Sequence, residues 1–223
     1  MATKRSYGDV CGVARALDVV GERWALMVVR ELLLGPKRFT DLRAGLTSLG
    51  PDVLTQRLKD LAGSGLVTRR TLPPPSGARV YELTELGRRL EPVVMALGDF
   101  GSHLPVPTEG ELRMSFDSHV LSLRTLFRPE LAGDLDARVQ LELDGQPFAA
   151  TVAGGGFTIE RGEHDAPDAV IEGAPEILIG VVHGRQRLDE ALAAGWLTFR
   201  GDADLVRRFT TLFPLPEVAH VPA

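Results

Sequence analysis

The sequence has few of the residues that staple or anchor small proteins. Among 223 residues there is one cysteine, Cys11, and there are two tyrosines and two tryptophans. A lone cysteine excludes an internal disulfide and argues against a cysteine-based zinc site. Lysine is scarce as well, 3 against 22 arginines, a bias that reports genome base composition more than chemistry. Long apolar runs are missing. Stretches such as Ala25–Val29 and Ile177–Val182 fall far below the roughly 20 residues of a membrane span. The N-terminal MATKRSYGDV has no apolar region of a secretory signal. These absences point to a cytoplasmic protein with no membrane partner. The 44% hydrophobic and 25% charged residues are ordinary, and argue against a disordered tail, a collagen-like fibre or a disulfide scaffold.

The formal net charge of −5 conceals a split. Residues 1–100 carry 15 Lys+Arg against 11 Asp+Glu, a balance of +4; residues 101–223 carry 10 against 19, a balance of −9. A basic half joined to an acidic half predicts two domains with different partners. The segment Gly101–Gly110 has two prolines, two glycines and no hydrophobic period. It divides the chain into a first domain over 1–101, a linker over 102–111 and a second domain over 112–223.

In the first half, Val13, Leu17 and Val20 make one apolar stripe at i, i+4, i+7. Trp24–Leu34 is apolar almost all round apart from Arg30 and Glu31, which predicts a buried central helix ended by Gly35-Pro36. Thr40-Asp41-Leu42 can cap and start a short helix to Leu46. Pro51 suits the first position of the next helix, which runs to about Ala62. Leu66–Thr71 and Arg79–Leu83 are rich in β-formers and flank a Pro/Gly loop, as in a hairpin with a long tip. Leu86, Leu90, Val93, Leu97 and Phe100 then recur at i, i+4, i+7, i+11, i+14, with Thr84 as N-cap. That stripe spans about four turns, more than so small a domain needs for its own core. Either a second protomer or the second domain must cover it.

The second half alternates. Val139, Leu141 and Leu143 face one way, and Arg138, Gln140, Glu142 and Asp144 the other, which predicts a half-buried strand. Asp144-Gly145 is a hairpin turn leading to a strand near Phe148–Val152. Further strands are expected at Phe157–Arg161, Asp168–Glu172 and Trp196–Arg200. Helices are expected near Phe116–Phe127, Pro175–Val182 and Leu188–Ala194, with a last helix capped by Asp202. The fold class is α+β, a helical domain with a hairpin followed by an α+β domain with an antiparallel sheet.

Two helices joined by a turn and followed by a hairpin with a basic tip form the order of a winged helix-turn-helix. On the helix from Pro51, Leu54, Leu58 and Leu61 must face the core. Asp52, Thr55, Gln56 and Lys59 then face outward, where a major groove offers donors and acceptors. Gln56 can pair with adenine and Lys59 with phosphate. Lys37 and Arg38 precede the scaffold helix, and Arg69, Arg70 and Arg79 lie on the hairpin. Lys37, Arg38, Thr40, Pro51, Asp52, Thr55, Gln56, Lys59 and Arg79 are the candidate contacts to double-stranded DNA.

The runs Leu17-Asp18-Val19-Val20-Gly21-Glu22-Arg23-Trp24, Arg30-Glu31-Leu32, Arg38-Phe39-Thr40-Asp41-Leu42, Val53-Leu54-Thr55-Gln56-Arg57-Leu58 and Tyr81-Glu82-Leu83-Thr84-Glu85-Leu86-Gly87 resemble the HxlR-type winged-helix regulators. The resemblance covers about residues 8–101. It implies a homodimeric transcription factor, here expected to repress, whose first and last helices form the dimer interface. Gly50 stands where that pattern has a capping Ser, and Gly12 where it has Pro. Some members sense oxidants through a cysteine at the place of Cys11. Here that thiol is either reactive, near a helix start, or buried and inert.

The second half resembles the sterol-carrier-protein type 2-like fold through Asp168-Ala169-Val170-Ile171-Glu172-Gly173, the helix at Pro175, Ala191–Gly195 and Leu197-Thr198-Phe199-Arg200-Gly201-Asp202. That resemblance implies a five-stranded sheet with helices on one face and an apolar cavity between them. Phe148, Phe157, Ile159, Ile177, Val181, Leu192, Trp196, Phe199 and Phe209 either line a pocket for an apolar effector or simply fill a core.

Catalytic signatures are missing. The five histidines show no paired ligand spacing. Gly154-Gly155-Gly156 is followed by a strand rather than Lys-Ser/Thr, and no GxSxG elbow occurs. The sequence therefore predicts a regulator without catalytic, metal or cofactor site. Its alternatives are a regulator whose second domain only braces the dimer, and a lipid carrier that uses the first half for dimerisation.

Overall fold

The computed structural model describes residues 6–107 and 112–219; residues 108–111 of the expected linker lie outside them. The chain forms two compact units, the first ending at Val94 and the second beginning at Met95.

The first unit comprises α1 (Gly12–Val20), α2 (Ala25–Leu32), α3 (Phe39–Gly45), α4 (Pro51–Gly63), strands β1 (Val67–Thr71) and β2 (Arg79–Leu83), α5 (Glu85–Arg88) and the start of α6 (Glu91–Ser102). Its core gathers Val28, Val29 and Leu32 of α2, Leu42 of α3 and Leu54, Leu58 and Leu61 of α4, with Leu66, Val67 and Leu83 from the hairpin. The α1 stripe enters it only at Val20, while Val13 is 69% and Leu17 40% exposed. Trp24 takes a left-handed φ of 77°, so α2 starts at Ala25, one residue later than its hydrophobicity suggests. At α3 the N-cap is Arg38 rather than Thr40, and the Arg38 N–H donates to the Asp41 carboxylate at 3.0 Å. A carboxylate is well suited to the third position because it meets the unpaired amides and the dipole of the first turn.

The predicted single helix from Leu86 to Phe100 is broken. α5 stops at Arg88 and α6 restarts at Glu91, because Pro92 has no amide hydrogen and its ring would collide with the carbonyl of Arg88. Thr84 caps α5 as expected, accepting from the Gly87 N–H at 3.0 Å. Gly87 is required for a different reason: a Cβ there would stand 2.1 Å from the Leu66 carbonyl oxygen.

The second unit continues α6 and adds α7 (Phe116–Leu126), α8 (Pro129–Ala132), β3 (Ala137–Leu143), β4 (Gln146–Ala153), β5 (Gly156–Arg161), β6 (Ala169–Gly173), α9 (Pro175–Val182), α10 (Leu188–Ala193), β7 (Leu197–Gly201) and α11 (Ala203–Thr210). The sheet order is β5-β4-β3-β6-β7. The β3–β6 pair is parallel and the other pairs are antiparallel. Val139, Leu141, Phe148, Ala150, Ile159 and Ile171 are buried on one face, as alternation demands. The division at Val94 falls earlier than the linker expected at 102–111. The rest of α6 joins the second unit through Thr125, whose hydroxyl lies 3.4 Å from the Met95 sulfur, and through an Asp99–Arg128 pair at 3.2 Å.

Two histidines are buried in this unit. His183 Nδ1 lies 2.8 Å from the Phe213 carbonyl oxygen, and its Nε2 lies 3.2 Å from Ser122 Oγ. Burial lowers the pKa of both His119 and His183 below the ordinary imidazole value.

Two outcomes follow from this packing. Gly87→Ala should destabilise the first unit by about 1–3 kcal/mol, because the new methyl meets backbone rather than a movable side chain; an unchanged urea midpoint would contradict the contact. The histidines predict a pH dependence of definite sign. Above about pH 6.5 folded and unfolded states are both neutral there; as pH falls, the unfolded chain takes up protons first and stability is lost until the lowered folded values are reached. The urea midpoint of the second unit should therefore drop between about pH 7.5 and pH 5.5, and His119→Gln should shrink that drop. Equal midpoints at the two pH values would reject it.

Candidate nucleic-acid interface

The helix α4 is fixed by its inner face: Leu54, Leu58 and Leu61 have at most 2% of their surface exposed. At about 100° per residue, the opposite face carries Asp52, Gln56 and Lys59, with Thr55 on one edge and Val53 and Asp60 on the other. The charged and polar groups predicted to face outward therefore do so. Asp52 and Lys59 are exposed. The Thr55 hydroxyl turns back to the Pro51 carbonyl at 2.9 Å, and Gln56 Nε2 donates to Asp60 Oδ1 at 2.7 Å. Pro51 occupies the first turn of α4 after Gly50, leaving no unsatisfied proline N–H at a position where amides point outward.

Val53 was not among the expected contacts, yet it is 44% exposed. Its isopropyl group is the kind of surface that meets a thymine methyl. Only its place on the helical wheel, at the edge of the leucine stripe, could have revealed it.

The basic residues separate into two groups. Arg38 and Arg79 are exposed. Lys37 is not available in the same way: its ammonium is 2.6 Å from Glu31, its side chain is 14% exposed, and its backbone exchanges two hydrogen bonds with Tyr81. It ties the segment before α3 to the wing instead of pointing at solvent, a correction to its place among the DNA contacts. Glu31 has no exposed side chain and is also paired with Arg30 at 2.8 Å. A buried carboxylate must find cationic partners, and Lys37 supplies one. On the wing, Arg70 is paired with Glu82 at 2.7 Å, and Arg69 lies over the Tyr81 ring at 5.7 Å. Thr40 is exposed, with its hydroxyl 3.3 Å from Asp41.

Cys11 sits at the N-cap of α1 and is exposed, not buried. Backbone N–H groups of Val13 and Ala14 hold its thiol below the ordinary pKa, since they favour the thiolate.

The residues predicted to line an apolar pocket are only partly brought together. Phe157 and Phe209 join Phe127 and Phe213 in one ring cluster, with Phe157–Phe127 centroids at 5.4 Å and Phe157–Phe213 at 5.0 Å. Phe148 belongs to another group: it stacks on Phe116 at 5.8 Å and lies under the Arg161 guanidinium at 4.9 Å. Arg161 in turn reaches the buried Asp117 at 2.5 Å. Ile159 and Val181 are buried, whereas Ile177, Leu192 and Phe199 are half-buried. Trp196 is 54% exposed and leaves the set. It stands just before β7, whose first residue, Leu197, is the buried one. Among the described residues no cluster of three or more His, Cys, Asp or Glu could hold a metal ion.

Comparison with known proteins agrees with this geometry. Residues 19–107 match the HxlR-like helix-turn-helix family. The HTH-type transcriptional regulator YvaP of Bacillus subtilis (strain 168) is 36% identical over 80 residues, which cover 36% of this chain and 74% of that one. The chain belongs to the HxlR-like helix-turn-helix family. A second HTH-type transcriptional regulator, sll1512 of Synechocystis, is 32% identical over 95 residues, covering 43% of this chain and 70% of its own. Among solved structures, the redox regulator HypR in its oxidized form is 32% identical and covers 44% of this chain and all of its own, with a TM-score of 0.41. Residues 123–214 match the SCP-2 sterol transfer family. The chain is thus an HTH-type transcriptional regulator with an SCP2-like second part. No helix among the described residues is long and apolar enough to cross a membrane.

The contrast between Arg79 and Lys37 can be measured on any DNA the protein binds. Arg79→Ala should weaken binding on all sequences alike and flatten the plot of log K against log salt by about one unit, as expected for one lost phosphate. Lys37→Ala should leave that slope unchanged while lowering stability through the uncompensated Glu31. A slope that changes equally in both would put Lys37 back on the DNA.

Proposed function

We propose that this regulator is a homodimeric repressor that binds a pseudo-palindromic operator, with one α4 from each protomer in successive major grooves roughly 10 bp apart. The observation that carries the reading is the outer face of α4: polar groups set on three buried leucines and followed by a wing whose exposed Arg79 can hold the flanking backbone. Arg38, Thr40 and the first turn of α4 at Pro51 add backbone contacts, Asp52 and Thr55 lie beside the bases, Gln56 reads one of them, and Lys59 meets phosphate.

Dimerisation has its own support. α6 has no buried residue along its length, and Leu97 and Phe100 are 50% and 63% exposed. On α1, Val13 and Leu17 are exposed as well. Apolar helices left uncovered in one chain are the natural surface for a second copy, and we place the dimer interface on these first and last helices. A repressor then acts by occupying its operator, with no catalytic step and no cofactor.

The second unit is proposed to take an apolar effector that shifts the dimer only if it binds two geometries unequally. The ring cluster of Phe127, Phe157, Phe209 and Phe213 favours a second reading, since rings in mutual contact already occupy apolar space. In that reading the unit braces the dimer and holds nothing.

A gel shift against the DNA upstream of its own gene should give a specific band at moderate salt, and its absence would sink the regulator reading for that DNA. Native mass spectrometry of freshly purified protein should report twice the 24.1 kDa chain mass. An added apolar mass of a few hundred daltons is expected for the effector reading, and a bare dimer for the brace.

A further inference from the structure

The carboxamide of Gln56 is held in one orientation, and a neighbour holds it. Gln56 Nε2 donates to Asp60 Oδ1 at 2.7 Å. An ionised carboxylate offers only acceptor sites, so the amine end of the amide must face it, and the usual ambiguity between amide oxygen and nitrogen is removed. Asp60 is itself fixed from the other side: Arg57 Nη1 lies 3.1 Å from its second oxygen, Oδ2. Arg57, with a side chain only 16% exposed, also lies 3.8 Å from Glu22, which stands between α1 and α2. Both Asp60 oxygens are therefore engaged, and the charge beside the reading face is balanced.

Gln56 differs in this from its neighbours. Thr55 spends its hydroxyl on Pro51, whereas Asp52 and Lys59 stand exposed as point charges suited to several partners. With one N–H of Gln56 given to Asp60, one N–H and the oxygen remain for the outward side. Adenine presents N7 as acceptor and N6–H as donor in the major groove, the complement of that pair.

We infer that Asp60 is a positioning residue for base selection: it pre-orients Gln56 as a donor–acceptor pair for one adenine. This rests on the reading of α4 as the major-groove helix. An ordinary Gln–Asp contact one turn apart would add only modest helix stability and would leave base choice untouched. Pre-orientation removes the cost of immobilising a mobile side chain, worth about two- to tenfold in binding.

The test uses the full-length chain. Selection from a randomised DNA pool gives its operator, and every single-base-pair variant of that operator is then titrated with the wild type, Gln56→Ala, Asp60→Ala and Asp60→Glu. Gln56→Ala marks the base pair that Gln56 reads. Asp60→Ala should lower discrimination at that base pair by about two- to tenfold. Its overall affinity should hold or rise, because a negative charge has been removed near phosphates. Asp60→Glu, which keeps an acceptor and the charge, should restore the choice. Wild-type discrimination in Asp60→Ala would overturn the inference while leaving the operator reading intact, and so would an even loss at every position. Failure to enrich any sequence would overturn both.

Discussion

Glu31 is the group on which the first unit turns. Its carboxylate is fully buried near the C-terminal end of α2, a helix otherwise chosen for apolar packing, and burying it alone would be prohibitive. Three neighbours make it tolerable. Arg30 and Lys37 bring cations to its two oxygens, and Gly45 leaves the room: a Cβ there would stand 2.3 Å from Glu31 Oε2. Lys37 is then fixed in place, and its backbone bridges to Tyr81 of β2. One ion-pair centre thereby sets the position of the wing strand relative to α2 and the approach to α3. Replacing such a centre by apolar groups of equal volume is often harmless to stability. What it supplies here is geometry, because a lysine that must reach one buried carboxylate defines where the chain enters α3.

The same economy explains α5 and α6. Pro92 forces a break, so the residues of the apolar stripe do not lie along one straight helix. Leu90 and Val94 pack against the first core, while Val93, Leu97 and Phe100 stay 45%, 50% and 63% exposed. A 12-residue helix this apolar, with no buried residue, is a poor solution for a solitary chain and a sound one for an interface.

Periodicity made most elements legible. The leucines of α4, the Thr84 cap, the Asp144-Gly145 turn and the alternation of β3 each obey a local rule, and each element lies where that rule puts it. The departures have physical causes that a window of pattern does not contain. Hydrophobicity puts Trp24 at the start of a helix and says nothing of its left-handed φ. The pattern puts Trp196 inward as the first residue of a strand, but β7 starts at Leu197 and Trp196 stays outside it, exposed. Pro92 was visible all along, and a strict stripe concealed its effect. At the site, the outward set of α4 followed from the wheel, whereas Lys37 did not. Whether a lysine is free depends on a carboxylate six residues earlier in sequence and buried in the core, which charge counting treats as a surface pair. Charge counting is silent on Asp60 for a similar reason, since its proposed role lies in how it holds Gln56.

These pairings also change what the +4 of the first half means. Arg30, Lys37, Arg57 and Arg70 are each committed to a carboxylate within the fold, so they contribute little to holding phosphates. The exposed cations of α3, α4 and the wing outside these pairs are Arg38, Arg43, Lys59 and Arg79, with Arg69 held over a ring. The reading face carries Asp52 as well, and each phosphate contact contributes only about 0.9 to the slope of log K against log salt. One protomer with four such groups would hold DNA weakly at physiological salt. Two protomers joined rigidly double the contacts without a second loss of rotational freedom. The small number of these cations supports the proposed dimer, independent of the uncovered helices, and it gives the proposed base readout by Gln56 more weight, because phosphate attraction from one protomer is limited.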